Sequence, residues 1–370
     1  MEITLDKMKL STTLSFLDKV IKKKDVSEVY KNCQFKFENN SLTLYACGGQ
    51  YVVKSSYGRI GATNMSCLVE YDALNKLIPL LDNDEIIFKF NSDNMVIFDG
   101  GNEYTFQYFV EGDFANIIDS LSLQVSSEPI VVIDVSELEK INKFVYPCID
   151  TTKNATLCGV FYDGNFVTTD IKSCAIYHYD EKESDDTIFI PKDGFDIIST
   201  LSEKDLTFSF HHSENIVIAQ SENVSYLIPL MSAKFPSYKP LVEHVSKYKN
   251  QVRIDKGKFV KSCSKLLAFS TSMFSAVNKA DFEINDIINM KAGSDRKRAI
   301  EELAPIESNS NGKVGFSVNV AQLLSQVSKI DESEITLKYE EGSKNPLYFY
   351  GDENKMYLTT LLVGGEENGE

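Results

Sequence analysis

A chain of 370 residues is longer than one hydrophobic core requires and fits two or three domains of roughly 100 to 150 residues each. Hydrophobic residues make up 43% of it, with 23 Phe and 18 Tyr, which excludes a disordered chain outside the C-terminal tail. The formal net charge of -16 argues against a uniformly basic surface, so any phosphate-binding stripe has to be local.

The sequence contains no run of 18 apolar residues, and its first ten residues lack the basic, apolar and small-residue order of a signal peptide. We therefore expect a cytoplasmic protein without a membrane partner. The 7 cysteines are odd in number and show no C-x-x-C spacing. This pattern argues against a disulfide framework and against a zinc site.

An internal repeat begins at the N-terminus. A short apolar strand, an aspartate and an amphipathic segment recur at Asp6, Asp134 and Asp255. Aspartate is a favoured helix N-cap, because its carboxylate accepts the free N–H groups of the first turn. The spacing predicts a repeat of about 120 to 130 residues, which is a usual domain length.

A second repeat lies in the later half of each unit. Helical stretches at 71–77, 194–201 and 320–327 are each followed by a strand whose apolar residues alternate. Such alternation buries one face of an antiparallel sheet. The alternating residues are Ile86, Phe88 and Phe90, then Leu206, Phe208 and Phe210, then Ile335, Leu337 and Tyr339.

These repeats predict an α+β chain of three similar domains, each made of two strand-helix-strand halves. The predicted boundaries are 1–125, 126–248 and 249–370, the last with an acidic tail at 364–370. The joining stretches at 123–129 and 245–250 are short, which implies a fixed domain geometry.

The sequence offers little material for catalysis. It contains no P-loop, no G-x-G-x-x-G and no G-x-S-x-G, so nucleotide hydrolysis and acyl transfer have no motif. Of the 4 histidines, His211 and His212 fit a hairpin better than a metal site. We predict a protein that is not an enzyme, with no catalytic residue, metal or cofactor.

Several ordered stretches resemble the bacterial DNA polymerase III beta subunit, the DNA sliding clamp. They are Leu157-Cys158-Gly159-Val160-Phe161, Val167-Thr168-Thr169-Asp170, Phe235-Pro236-Ser237-Tyr238, Gly112-Asp113-Phe114 and Tyr357-Leu358-Thr359-Thr360-Leu361-Leu362. The family's glycine-histidine-arginine after Thr169-Asp170 is replaced by Ile171-Lys172-Ser173. With the tail beyond Val363, this indicates a divergent clamp of the kind a phage or mobile element encodes.

The resemblance implies the DNA clamp fold, with helices lining a ring and sheets outside it. It implies a processivity factor that encircles double-stranded DNA without reading its sequence. Polymerase and clamp loader are then bound through short peptides. The lysines expected to face DNA are Lys19, Lys22, Lys23, Lys24, Lys140, Lys143, Lys192, Lys256, Lys258, Lys261 and Lys265.

The resemblance also implies a peptide groove and a homodimer interface. The groove positions are Leu157, Thr169, Lys172, Cys174, Pro236, Leu241, Leu358, Leu361 and Leu362. The interface positions are Tyr104 and Phe106 on the first domain, with Leu266 and Phe269 on the third. Each of these residues fits a plain core role about as well. The alternative hypothesis is a clamp-fold binding or scaffold protein that does not close a ring.

Overall fold

The computed structural model describes residues 1–21, 28–61, 64–110, 114, 128–150, 155–179, 186–213, 215–270, 277–294, 296–310, 312–341 and 345–362. Their contacts group the chain into two compact units, Met1–Glu139 with Asp193–Ser232, and Lys140–Lys192 with Ala233–Glu370. The three-domain boundaries given above stay a prediction.

Both helices and strands are present, so the predicted α+β class is confirmed. The helices in the described ranges are α1 Lys7–Asp18, α2 Tyr71–Leu77, α3 Val135–Val145, α4 Lys192–Ser199, α5 Lys239–Ser246, α6 Lys256–Ser270 and α7 Val320–Val327. None of the helices described is long and apolar enough to cross a membrane.

Short strands make up most of the remaining regular structure. They are β1 Glu2–Asp6, β2 Asn32–Glu38, β3 Ser41–Gly48, β4 Tyr51–Arg59, β5 Met65–Glu70, β6 Glu85–Phe90, β7 Asn94–Asp99, β8 Asn102–Gln107, β9 Val131–Asp134, β10 Gly159–Tyr162, β11 Asn165–Thr169, β12 Ser173–His178, β13 Ile188–Pro191, β14 Thr207–Ser213, β15 Ile216–Gln220, β16 Val224–Pro229, β17 Asn250–Asp255, β18 Lys279–Ile284, β19 Ile288–Ser294, β20 Lys297–Leu303, β21 Glu307–Asn309, β22 Val314–Asn319, β23 Glu334–Tyr339, β24 Leu347–Tyr350 and β25 Lys355–Thr359.

Each unit contains one small and one large antiparallel sheet. In the first unit, sheet A has the order β1-β6-β7-β8 and sheet B has the order β5-β2-β3-β4-β16-β15-β14-β9. In the second unit, sheet C has the order β13-β10-β11-β12-β25-β24-β23-β17-β21 and sheet D has the order β20-β19-β18-β22. The two large sheets are each assembled from two groups of four strands, with β21 added at one edge of sheet C.

The four-strand groups come in two kinds. In the first kind, the spatial order of the strands follows their order in the chain: β1-β6-β7-β8, β9-β14-β15-β16 and β17-β23-β24-β25. The other kind has the order fourth, first, second, third: β5-β2-β3-β4, β13-β10-β11-β12 and β22-β18-β19-β20. The second order is that of a Greek key. Three copies of each kind account for the internal repeat in the sequence.

The alternating strands pack as the sequence predicts. Phe88, Phe208 and Leu337 are each 0% exposed, and the residues that flank each of them on its strand are partly or fully exposed. Leu206, predicted as part of the second alternating strand, lies just before β14 and is partly exposed. Two of the predicted N-caps are also present. The Asp6 carboxylate accepts the Lys9 backbone N–H, and the Asp255 carboxylate accepts that of Lys258, each at 2.7 Å.

The second aspartate of the repeat has a different partner. Asp134 precedes α3 as predicted, and its carboxylate accepts a hydrogen bond from the Thr207 hydroxyl at 2.5 Å. That bond joins β9 to β14, which are neighbours in sheet B.

Candidate peptide-binding groove

The centre of the candidate groove is formed by three neighbouring strands of sheet C. Thr169 on β11 pairs with Cys174 on β12, and Cys174 pairs with Leu358 on β25. Three residues predicted from separate segments therefore lie side by side. Their exposed fractions are only 9%, 5% and 2%, so they form a floor and present little surface themselves.

The chain that follows β25 crosses this floor at its edge. The Thr360 backbone N–H donates to the Lys172 carbonyl oxygen at 2.8 Å, and that of Leu362 donates to the Ser317 carbonyl oxygen at 2.8 Å. The short segment 360–362 is thus attached to the β11–β12 turn on one side and to β22 on the other. Leu361 is 7% exposed, and Leu362 is partly exposed.

A depression of about 370 Å³ lies beside this segment. Leu361 and Leu362 line it, together with Gly315 and Ser317 of β22. The charged residues Asp281, Glu283 and Lys291 also line it. Polar and apolar residues line it about equally, and Phe282, Phe316, Leu361 and Leu362 supply apolar surface of the kind that peptide sites use. Sequence reasoning missed the contribution of β18, β19 and β22, because nothing local marks these residues as neighbours of Leu361.

A hydrogen-bond network holds the turn between β11 and β12. The Asp170 carboxylate accepts from the backbone N–H groups of Lys172 and Ser173 at 3.0 and 2.6 Å. Gln322 on α7 donates its amide hydrogens to Asp170 and to the Ser173 hydroxyl at 2.9 and 2.8 Å. Gln322 was not predicted as a site residue, since a partly exposed glutamine on an amphipathic helix carries no distinctive signal.

The remaining groove residues belong to two other segments. Leu157 is buried at 4% exposure, Pro236 is exposed, and Leu241 on α5 is 36% exposed. Between the last two, the Tyr238 hydroxyl donates to the buried Asp163 carboxylate at 2.8 Å. Burial raises the pKa of Tyr238, and the nearby Asp163 and Cys174 raise it further. The Tyr238 hydroxyl therefore links this stretch to Asp163, between β10 and β11.

The thiols in this region are not suited to nucleophilic chemistry. Burial raises the pKa of Cys148 to about 12 and raises that of Cys174 well above its ordinary value. Both side chains stay protonated at neutral pH, and the thiolate is the nucleophilic form. Gln326 donates to the Cys148 sulfur at 3.3 Å and accepts from the Thr359 hydroxyl at 2.8 Å. These contacts give Cys148 a structural role.

The lysines predicted to face DNA differ in their surroundings. Lys19, Lys140, Lys258 and Lys261 have exposed side chains. Lys22, Lys23 and Lys24 lie outside the described residues, as does the tail 364–370.

Other lysines of this set have partners within the chain. Lys265 forms an ion pair with Glu301 at 2.9 Å, and its hydrogen bond lowers the pKa of that carboxyl. Lys143 lies 3.7 Å from Asp331. The Lys256 ammonium donates to the Ile330 carbonyl oxygen at 2.6 Å, and the Lys192 ammonium lies 5.0 Å from the centre of the Tyr146 ring.

Of the residues predicted for the dimer interface, three present surface. Tyr104 and Phe106 are partly exposed on β8, and Phe269 is 37% exposed on α6. Leu266 is 0% exposed. Its side chain belongs to the core of its own chain, because Leu266 lies one helical turn from Cys263 and two turns from Phe259 on the buried face of α6.

Comparison with solved structures reveals the same architecture in bacterial replication proteins. The DNA polymerase III beta chain of Streptococcus pneumoniae TIGR4 superimposes with a TM-score of 0.83, at 17% identity, over 98% of this chain and 100% of that chain. The chain has the sliding-clamp fold. The DNA polymerase III subunit beta of Pseudomonas aeruginosa gives a TM-score of 0.84 at 16% identity, over 98% of this chain and 100% of that one.

A third comparison extends the likeness to another genus. The DNA polymerase sliding clamp of Bacillus subtilis gives a TM-score of 0.83 at 12% identity, over 99% of this chain and 100% of that chain. No family model and no curated protein matches the sequence. The fold is thus conserved at identities of 12% to 17%.

Proposed function

We propose that this chain is a DNA sliding clamp, a non-catalytic processivity factor whose copies close head to tail into a ring around duplex DNA. The observation that carries the proposal is a pair of sheet edges, β8 in sheet A and β20 in sheet D, beside which no further strand pairs among the residues that the structure describes. The fold comparison supports the same conclusion, because it covers the whole length of the matched clamps.

The large sheets indicate how these edges are used. In sheet B, a four-strand group ending in β16 joins a Greek-key group ending in β4. In sheet C, β25 joins β12 in the same way. The equivalent strands of sheets A and D are β8 and β20. An unpaired edge exposes backbone N–H and C=O groups that can accept another strand. We infer that β8 of one copy pairs with β20 of another.

We call each pairing between two four-strand groups a joint. Two copies joined in this way would contain six joints, four within the chains and two between them. Because the joining surfaces differ, the contact is heterologous, and such contacts close into a ring when the rotation allows it. A two-copy ring of this kind is the homodimer that the resemblance implies.

The register of the β8–β20 pair follows from the same comparison. Tyr104 faces the core side of sheet A, since it pairs with the buried Ile97. Ala299 faces the core side of sheet D, as its neighbour Glu301 contacts Ser262 and Lys265 on α6. Strand partners must share a face. Counted from the adjacent hairpins, Tyr104 corresponds to Tyr226 and Ala299 to Val53. Tyr226 pairs with Val53 in the joint between β16 and β4, which supports Tyr104 opposite Ala299.

An apolar depression beside β8 supports this interface. It is lined by Leu77, Tyr104, Phe106 and Phe109, among others, and Phe109 is 39% exposed. Phe269 of a second copy has the exposed aromatic surface to fill it. The contact we infer therefore uses Phe269 and β20 in place of the buried Leu266.

We further propose that polymerase and clamp loader bind by short apolar peptides that dock on Leu361, Leu362 and the adjacent β11–β12 turn. Lys19, just after α1, and the exposed lysines of α3 and α6 would supply a weak attraction to phosphates that is blind to sequence. Arginines are few in the sequence, which agrees with binding that does not read bases.

The direct test is retention on DNA of different topology. Fluorescently labelled protein is loaded on nicked circular DNA, and the complex is separated from free protein by gel filtration in 0.2 M salt. We expect retention on circles and rapid loss once a restriction enzyme linearises them. A matched digest that cuts only competitor DNA serves as the control. Equal loss from circular and linear DNA would exclude the ring and favour the scaffold alternative.

A further inference from the structure

One residue of the β11–β12 turn has an unusual backbone conformation. Ile171 has a φ of 73°, in the left-handed region where a β-branched side chain crowds the backbone. Its side chain is 71% exposed. The family that the sequence resembles has glycine here, which adopts this conformation without strain. The isoleucine therefore combines an unfavourable backbone with exposed apolar surface.

The surrounding hydrogen bonds keep Ile171 in this conformation. The Asp170 carboxylate accepts the Ser173 backbone N–H at 2.6 Å, and Gln322 donates to both residues. The Ile171 backbone N–H donates to the Thr169 hydroxyl at 3.1 Å. Strained residues persist where such contacts over-determine them, and they are concentrated at binding sites.

The position of the turn connects Ile171 to the groove. The carbonyl oxygen of the next residue, Lys172, accepts the Thr360 backbone N–H at 2.8 Å. Leu362, two residues after Thr360, donates its backbone N–H to the Ser317 carbonyl oxygen. Thr169, two residues before Ile171, is part of the groove floor through its pairing with Cys174. The exposed isoleucine thus adjoins both the floor and the segment that borders the depression.

We propose that Ile171 is a specificity-determining contact of this groove and packs against an apolar side chain of the partner peptide. Neither the backbone strain nor the exposed apolar surface stabilises the unbound protein, so we expect the favourable contribution of Ile171 in the peptide complex. There, burial of the side chain offsets both costs. The inference rests on the proposed function, because it takes the groove to be the peptide site of a clamp.

The test compares Ile171→Asn with Ile171→Val in the full-length protein. Asparagine tolerates the left-handed region and removes the apolar surface, whereas valine keeps both the strain and most of that surface. The probes are labelled octapeptides with two or three adjacent Leu, Phe or Met residues in a Ser/Gln background. The peptide that binds the parent most tightly is used throughout, with a Ser/Gln octapeptide as the blank.

We expect Ile171→Asn to weaken binding about 5- to 10-fold, as for the loss of one buried aliphatic contact. Its urea midpoint should equal or exceed that of the parent. Ile171→Val should bind within about threefold of the parent, since only one methylene is lost. A purely structural role for Ile171 predicts a lower midpoint for Ile171→Asn with unchanged affinity, and that result would overturn the inference.

Three further outcomes separate this inference from the proposed function. If Ile171→Asn binds as tightly as the parent while both are retained on circular DNA, the role of Ile171 is wrong and the clamp stands. If the parent binds no apolar octapeptide better than the blank, the inference is wrong together with the groove. Loss of circular retention in the parent would instead refute the ring.

Discussion

The hydroxyl of Tyr226 on β16 donates a hydrogen bond to the backbone carbonyl oxygen of Phe16 on α1, at 2.9 Å and 210 positions away in the sequence. Tyr226 is 0% exposed. The bond therefore anchors the end of α1 to β16. This strand pairs with β4 and so joins the two halves of sheet B.

Replacing Tyr226 with Phe should lower the free energy of unfolding by about 1–3 kcal/mol, because the buried carbonyl of Phe16 loses its donor. The sequence has no tryptophan, so urea unfolding is followed by circular dichroism. Tyr146→Phe is the control, since that side chain is 46% exposed. If the two substitutions lowered the free energy of unfolding equally, the Tyr226 hydrogen bond would contribute no more to stability than an exposed tyrosine hydroxyl.

The proposed interface predicts a particular cross-link. With Tyr104 opposite Ala299, Thr105 lies opposite Arg298, and opposed residues have Cβ atoms about 4.5–5.5 Å apart. Mild oxidation of Thr105→Cys/Arg298→Cys should give a covalent dimer on a non-reducing gel.

The control for this cross-link is Thr105→Cys/Glu302→Cys, which uses the same strand and face but a position four residues away. A dimer from the control alone would show that the register is shifted. No dimer from either variant would show that the two edges do not meet.

Gln322 fixes the β11–β12 turn from α7, so its removal should affect the groove more than the fold. We expect Gln322→Ala to weaken binding of the selected octapeptide about 3- to 10-fold, corresponding to roughly 1 kcal/mol for lost hydrogen bonds. Ser325→Ala, an exposed position on the same helix, should bind like the parent. Comparable affinities for the two variants would indicate that the turn needs no support from α7.

The exposed lysines of α6 should contribute to DNA attraction. Lys258→Gln/Lys261→Gln should lower the slope of log affinity against log salt by about 1 to 2, as expected for one or two phosphate contacts. Fluorescence anisotropy of a short labelled duplex at 50 to 200 mM salt measures this slope. Lys89→Gln, an exposed lysine of β6, is the control, and a slope change as large for Lys89→Gln would remove the special role of α6.

Acid should weaken the contact made by Asp99. Its carboxylate accepts the backbone N–H groups of Asp82 and Asn83 at 2.8 and 3.1 Å, and the bond from Asp82 is the main reason that its pKa is lowered. A carboxyl whose pKa is lower in the folded state stabilises the fold at pH values above its unfolded pKa of about 3.9. This stabilisation is lost as the pH falls through the folded-state pKa.

We therefore expect Asp99→Asn to lower the melting temperature at pH 7 and to match the parent more closely at pH 3. Asp84→Asn, whose side chain is 95% exposed, should show little difference at either pH. A deficit of Asp99→Asn that is the same at pH 7 and pH 3 would contradict the assignment to the ionised carboxylate.

The sequence by itself determined the repeat, the class and the local capping of this chain. Asp6 and Asp255 could be recognised as caps, because an N-cap depends only on residues within one turn. Alternation at Phe88 or Leu337 reveals a buried face for a similar reason, since side chains of a strand alternate with a period of two.

Only the tertiary structure decided which segments meet. Leu266 fits an interface or a core equally well in sequence, and its burial follows from the packing of α6 alone. Gln322, Ser317 and the open edge of β20 carry no sequence signal, because their roles depend on neighbours that are distant in the chain. The joints at β4–β16 and β12–β25 set these neighbours, since hydrogen bonding between strand edges depends on sheet geometry and very little on side-chain identity.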